Sequence, residues 1–245
     1  MIPKVIHYCW FGGKKLPALA QKCINSWKKY LPDYEIKEWN ETNFDVNIIP
    51  YTKEAYAEKK YAFVSDYARF WILYHYGGIY FDTDVEIIKP IDDIIARGSF
   101  MGCEKNSNEF SVNPGLGLGA EAGMVFYKEI IQLYNTLHFC NPDGSLNLTT
   151  IVTYTSNLLA IYGMEKKDVI QCVDNIWIYP KEYFAPMDPV CSNILITDNT
   201  RSIHHYSASW LTKKKRFIKI IKRLIGYRTA AKFRQILVKY RILKQ

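Results

Sequence analysis

The sequence predicts an α/β protein with a mainly parallel central sheet. Short runs of β-branched and aromatic residues alternate with longer stretches of helical periodicity, the order typical of strands joined by crossover helices. The chain has 245 residues, 49% of them apolar, which is enough for one sizeable core. The predicted elements are strand 4–10, helix 17–30, strand 34–39, helix 54–60, helix 65–76, strand 79–81, strand 86–88 and mixed elements to about residue 210.

The first predicted strand runs from Lys4 to Trp10 and leads into a turn at Phe11-Gly12-Gly13. Glycine lets the backbone approach a ligand closely, and ligands of open α/β sheets bind beyond the carboxyl ends of the strands. We therefore expect Trp10 to stack on a nucleobase, with the main chain of the turn near the base or ribose. A buried tryptophan followed by a plain turn is the alternative.

Helix 65–76 is predicted from its flanking residues. Ser65 suits the N-cap, Asp66 suits the positive end of a helix, and Gly77 is placed to end it. Asp66 and Arg69 are three residues apart and share a face. The pair is either a surface ion pair or part of an anion site, because arginine can bind two phosphate oxygens at once.

A paired-carboxylate motif, Asp82-Thr83-Asp84, follows the apolar run Gly78 to Phe81. Side chains at i and i+2 of an extended chain point to the same side, and hard divalent cations prefer carboxylate oxygens. The motif therefore predicts a metal site. Solvated turn aspartates are one alternative. A haloacid-dehalogenase-type phosphatase is another, but it needs a later Gly-Asp-x-x-x-Asp pair that this sequence lacks.

A further metal ligand is expected from elsewhere in the chain, and His204-His205 is the candidate. Adjacent strand residues point to opposite faces, so one histidine at most faces the site. We favour His205, with His204 as the alternative. An imidazole ligand favours Mn²⁺ over Mg²⁺.

The ordered motifs together resemble a known family of DxD-type sugar transferases, the family 32-like glycosyltransferases. It includes the yeast initiating α-1,6-mannosyltransferase, bacterial capsular polysaccharide transferases and the clostridial glucosylating toxins. The resemblance covers about residues 2–120. The residues that carry it are Ile2 to Gly13, Ser26-Trp27-Lys28, Pro32 to Ile36, Trp39-Asn40, Ser65-Asp66-x-x-Arg69 and Gly77 to Asp84.

This resemblance implies a GT-A-type nucleotide-sugar-binding fold and a metal-dependent hexosyltransferase that retains the anomeric configuration. The implied donor is a nucleotide sugar, and we favour a UDP-sugar over a GDP-sugar. The implied acceptor is a glycan or lipid-linked oligosaccharide of a capsule, lipopolysaccharide or other surface polysaccharide. The catalytic residues would be Asp82, Asp84, Arg69 and Asp66. The donor-binding residues would be Trp10, Phe11, Gly12, Ser65, Asp66, Arg69, Tyr80, Asp82, Asn113, Ser209 and Trp210.

Charge divides the chain into an expected catalytic domain, 1–210, and a basic helical tail, 211–245. The tail holds 13 of the 32 lysines and arginines and none of the 24 acidic residues. Apolar residues recur in it at helical spacing, which fits either an anionic membrane surface or helices packed on the domain. We find no nucleic-acid recognition motif, and a non-catalytic membrane-surface glycan-binding protein is the remaining alternative.

The six cysteines form no CxxC motif and no close pairs, which indicates the reduced thiols of a cytosolic bacterial protein. The sequence has no apolar window of about 18 residues, and Met1 to Lys4 lead directly into the first predicted strand. We therefore expect no signal peptide and no membrane span. The expected location is the bacterial cytoplasm, peripheral at the inner face of the plasma membrane.

Overall fold

The computed structural model describes residues 1–106, 109–187 and 193–207. Residues 1–186 and 196–206 form one compact unit, which contains every site residue whose structure is described below. The proposed tail 211–245 lies outside the described residues, as do Ser209 and Trp210.

The described residues form a central sheet of eight strands and a second sheet of two. The central sheet has the order β2-β1-β3-β7-β5-β9-β8, and β6 pairs with β5; the second sheet pairs β10 with β4. The strands are β1 Val5–Cys9, β2 Glu35–Trp39, β3 Gly78–Tyr80, β4 Val85–Ile87, β5 Phe100–Asn106, β6 Glu109–Val112, β7 Leu118–Ala120, β8 Gln171–Val173, β9 Ile176–Tyr179 and β10 Ser202–His204.

Strands β1, β2, β3, β5 and β9 run in one direction, while β6, β7 and β8 run against them. The predicted α/β class with a mainly parallel central sheet is therefore confirmed. The antiparallel β7 lies between β3 and β5.

The helices agree with the predicted order but differ in their bounds. They are α1 Ala18–Tyr30, α2 Pro50–Ala57, α3 Tyr61–Tyr76, α4 Asp92–Ala96, α5 Val125–Asn135, α6 Ile151–Ile161 and α7 Lys181–Phe184. Helix α2 begins four residues before the prediction because Pro50 occupies its first turn, where the fixed φ of proline favours a helix start.

The predicted N-cap at Ser65 is wrong. Helix α3 begins at Tyr61, and the Ser65 hydroxyl donates to the Tyr61 carbonyl at 3.1 Å from inside the helix. Phe63 and Val64 are buried, so packing of the first turn extends the helix past the local capping signal. Gly77 ends the helix as predicted, with φ +63°.

Alternate residues of the sheet join two apolar clusters, one on each face. Ile79 packs in a cluster with Trp27 of α1 and Ile94 of α4, whereas Tyr80 joins the cluster formed by α3 and α5. Helix α3 packs on this second face, and its residues Ala68 and Leu73 are fully buried there. The side chains of α3 are therefore placed against the ends of β1 and β3.

The turn between α3 and β3 is held by a buried histidine of β1. The His7 Nδ1 accepts from Trp39 Nε1 at 3.0 Å, so the proton lies on Nε2, which donates to the Gly77 carbonyl at 3.0 Å. Gly78 has φ +100°, and a Cβ there would lie 2.7 Å from the Val5 carbonyl oxygen. Only glycine fits this position, and the turn sets the register that brings Tyr80 beside His7.

Candidate active site

Two carboxylates and one imidazole meet where β3 ends. Asp82 and Asp84 follow β3, and the antiparallel pairing of β10 with β4 places His204 opposite Val85. The ligand atoms of Asp82, Asp84 and His204 all lie within 4.8 Å of one another. His204 Nε2 is 3.0 Å from Asp84 Oδ1.

The expected preference for His205 is corrected by this pairing. The ring of His205 lies 2.8 Å from Glu86, and Lys22 contacts the same carboxylate at 2.8 Å. Adjacent side chains of an extended segment point to opposite sides, so the register that brings His204 to Asp84 turns His205 away.

His204 is buried, and its environment favours the protonated imidazole when no cation is bound. Burial lowers the pKa of His204, but the carboxylates of Asp84, Asp82 and Glu104 together outweigh this effect and raise the pKa above its usual value. Within the described residues, His204 Nδ1 is buried and has no hydrogen-bond partner.

A buried arginine lies next to the carboxylate group. Arg69 Nη2 is 2.8 Å from Asp66 Oδ1 and 3.4 Å from Asp82 Oδ1, and its side chain is 4% exposed. The Tyr80 hydroxyl donates to Asp82 Oδ1 at 3.1 Å, and the guanidinium carbon lies 4.9 Å from the centre of the Tyr80 ring. Asp66 and Arg69 share a face as predicted, and their pair is buried at the site rather than solvated on the surface.

The two buried charges of α3 respond differently to their surroundings. Burial raises the pKa of Asp66 to about 6, although Arg69 and the Ile151 N–H at the start of α6 favour the carboxylate. Burial opposes the charged guanidinium of Arg69, but Asp82, Tyr80 and Asp66 raise the Arg69 pKa above its ordinary value. Arg69 therefore stays a permanent cation at this site.

Asn113 links the first carboxylate to a second acidic residue. Its Oδ1 accepts a hydrogen bond from the Gly115 N–H at 2.8 Å, and its Nδ2 donates one to Glu104 Oε2 at 2.8 Å. The Gly115 carbonyl accepts from the Asp82 N–H at 3.2 Å, and a Cβ on Gly115 would overlap the Asp82 carboxylate. Gly115 belongs to a glycine-rich segment, residues 113–119. This segment is part of the site, because Gly115 lets the Asp82 carboxylate pack against main chain.

Glu104 lies on β5 and is buried, and it was not among the predicted site residues. Besides Asn113, it accepts from the Tyr206 hydroxyl at 2.9 Å. An acidic residue in a strand usually faces solvent, and no local pattern distinguishes this one.

The predicted nucleobase turn is held by its own contacts. Trp10 is partly exposed and its indole N–H donates to the Lys14 carbonyl, whereas Phe11 is buried and packs against Phe44 at 5.7 Å between ring centres. The Gly12 N–H donates to Glu41 at 2.6 Å. Trp10 and the turn's main chain remain candidate donor contacts, but the ring of Phe11 belongs to the core.

A family model described as "Glycosyltransferase sugar-binding region containing DXD motif" matches residues 17–101. An uncharacterized glycosyltransferase, L373 of Acanthamoeba polyphaga mimivirus, is 32% identical over 192 residues, which is 74% of this chain and 74% of the relative. The chain belongs to this glycosyltransferase family. The resemblance identified from the sequence is confirmed, and the phosphatase alternative is not.

This glycosyltransferase also matches proteins over shorter stretches. Inositol phosphoceramide mannosyltransferase 1 of Schizosaccharomyces pombe is 32% identical over 111 residues, which is 41% of this chain. The chain spans about a third of the length of that relative, 33%.

Two solved structures show the same fold. The PaToxG glycosyltransferase has a TM-score of 0.51 at 19% identity and covers 65% of this chain and 69% of its own. A glycosyltransferase involved in the glycosylation of the major capsid of PBCV-1 has a TM-score of 0.50 at 12% identity. This match covers 87% of this chain and 97% of the other protein's chain. The GT-A-type fold of this glycosyltransferase is therefore confirmed. Across residues 1–106, 109–187 and 193–207, each helix is too short or too polar to cross a bilayer.

Proposed function

We propose that this glycosyltransferase is metal-dependent and transfers a hexosyl group from a nucleoside diphosphate to a hydroxyl group of a glycan. The observation that carries the proposal is the meeting of Asp82, Asp84 and His204 beside the buried cation Arg69. Asp82 is shared by the cation site and the fixed guanidinium. Positive charge of both kinds would stabilise the negative charge of a diphosphate leaving group.

The three side chains fit a divalent cation. Two ligands of one ion, each about 2.2 Å from it, lie up to about 4.4 Å apart, so a spread of 4.8 Å needs only small shifts. Two carboxylate oxygens with one imidazole nitrogen favour Mn²⁺, with Mg²⁺ as the alternative. The bound cation would neutralise charge that develops on the leaving diphosphate.

Arg69 would stabilise the same leaving group directly. It is buried and fixed by Asp66 and by the Ser65 carbonyl, which accepts from Arg69 Nε at 3.1 Å. A charge that is already oriented costs no reorganisation during the reaction. Asp66 would hold Arg69 in this orientation and accept a hydrogen bond from a hydroxyl group of the donor, with Tyr80 next to it.

The remaining donor contacts follow from the family resemblance. Trp10 would stack on the base and the main chain of Gly12 would border the ribose, whereas Asn113 would border the sugar. Ser209 and Trp210 complete the proposed set and lie outside the described residues. We favour a UDP-sugar over a GDP-sugar and retention at the anomeric carbon.

Two matched relatives from S. pombe are named as mannosyltransferases of inositol phosphoceramide, which supports a hexosyl donor and a hydroxyl-rich acceptor. We propose a surface polysaccharide as the product, made at the inner face of a bacterial membrane. The basic composition of 211–245 supports contact with anionic lipid there. The intact cluster of Asp82, Asp84 and His204 argues against a non-catalytic binding protein.

The test is hydrolysis of UDP- and GDP-hexoses by the purified chain, with Mn²⁺, Mg²⁺ or EDTA. Asp84→Asn should reduce Mn²⁺-dependent hydrolysis by about 100-fold or more, because the site loses one of its two carboxylates. Asp92→Asn, at an exposed aspartate of α4, is the matched control and should behave like the parent. Turnover by the parent that is unchanged in EDTA would refute metal dependence.

A further inference from the structure

A cavity of about 370 Å³ lies beside the candidate site. Glu104 of β5 and Ser111 of β6 form one wall, and Thr150, Thr153 and Asn157, at the start and along one side of α6, form another. Lys166, from the loop after α6, also lines it. The cavity is therefore built by three separate parts of the chain within the compact unit.

Two short connections join the cavity to the carboxylates of the site. Glu104, in its wall, holds Asn113, which in turn fixes Gly115 against Asp82. On the other side, the Ile151 N–H donates a hydrogen bond to Asp66. The residues before and after Ile151, Thr150 and Val152, both line the cavity. The cavity thus lies one side chain beyond Asn113 and Asp66, the groups proposed to border the donor sugar.

The lining chemistry suits a ligand rich in hydroxyl groups. Serine and threonine hydroxyls both donate and accept, the Asn157 amide does both, and the Glu104 carboxylate accepts. Among the described residues that line the cavity, none is aromatic, so the cavity offers no ring on which a nucleobase could stack. Its volume is within the range of small-molecule sites.

We propose that this cavity binds the acceptor, as a hexoside or cyclitol unit, and that Glu104 accepts a hydrogen bond from one of its hydroxyls. The proposal rests on the proposed glycosyl transfer, and it assigns to the acceptor a place distinct from that of the donor. Asn113 and Tyr206 hold Glu104 in position, at 2.8 and 2.9 Å from its Oε2. A buried carboxylate oriented in this way can select one hydroxyl of the acceptor.

The cavity can be filled without disturbing the core. Thr153 and Asn157 are four residues apart on α6, line the cavity and are exposed, so a tryptophan at either position enters the cavity from its open side. Ala160 is exposed on the same helix and does not line the cavity, which makes Ala160→Trp the matched control. Asn157→Leu removes the amide at similar size and serves as a second variant if a tryptophan unfolds the chain.

The readout is saturation-transfer difference NMR with two probes, methyl α-D-mannopyranoside and myo-inositol, and donor hydrolysis is measured in parallel. We expect at least one probe to bind the parent and Ala160→Trp. Thr153→Trp and Asn157→Trp should weaken that binding at least tenfold, while all variants hydrolyse the donor within twofold of the parent.

Failure of either proposal can be recognised separately. If the parent binds neither probe, or if both filled variants bind as the parent does, the cavity is not the acceptor site. If donor hydrolysis falls together with probe binding, the cavity holds the donor sugar and the assignment to the acceptor is overturned. A parent that hydrolyses no donor while the probes behave as expected refutes the proposed function and supports the cavity as a glycoside site.

Discussion

The buried His7 makes the stability of the fold depend on pH in a way that can be measured. Burial lowers the pKa of His7 from 6.5 to about 4, although its hydrogen bond to Gly77 acts in the opposite direction. Below pH 6.5 the unfolded chain therefore binds a proton that the folded chain does not. The free energy of unfolding must fall as the pH is lowered from about 6.5 toward 4.

The size of the effect follows from the two pKa values. Between pH 7 and pH 5, the His7 contribution to the free energy of unfolding decreases by about 2 kcal/mol. In His7→Gln this contribution is absent, so the variant should lose about 2 kcal/mol less than the parent over the same interval. Other titrating groups, Asp66 among them, are common to both proteins and cancel in the difference.

Urea unfolding at pH 5, 6 and 7, followed by circular dichroism, gives the required free energies. His75→Gln removes an exposed imidazole at the end of α3 and is the matched control. Because glutamine also loses the contacts to Trp39 and Gly77, His7→Gln is expected to be less stable at pH 7, and the test lies in the slope. Equal slopes for the parent and His7→Gln would refute the buried neutral histidine.

Three further predictions concern the site and the tail. His204→Ala should weaken Mn²⁺ affinity about tenfold or more, whereas His205→Ala should change it little; equal effects in a titration calorimeter would contradict the assigned ligand. Arg69→Lys keeps a charge but loses the planar fork, so kcat for donor hydrolysis should fall about 100-fold with little change in donor KM, and unaltered kinetics would exclude Arg69 from catalysis. Removal of 211–245 should abolish sedimentation with anionic vesicles, and salt should weaken it in the full chain because screening acts over about 8 Å; loss of donor hydrolysis would instead favour a tail packed on the domain.

Much of the site could be predicted from local sequence. The spacing of Asp66 and Arg69 on one helix face, and of Asp82 and Asp84 after an apolar strand, follows from the repeat of each element. Both pairs face the site in the structure. The Gly77-Gly78 turn fixes how α3 meets β3, and position 78 has room only for glycine. These features depend on neighbours a few residues away.

Other features were decided by contacts distant in the chain. The choice of His204 over His205 depends on the register of β10 against β4. In this register His204 pairs with Val85, 119 positions earlier in the chain. The burial of Glu104 depends on Asn113 and on Tyr206, and the N-terminal extension of α3 depends on packing against other elements. Local propensity and spacing cannot set such pairings, because strand register and burial are properties of the assembled core.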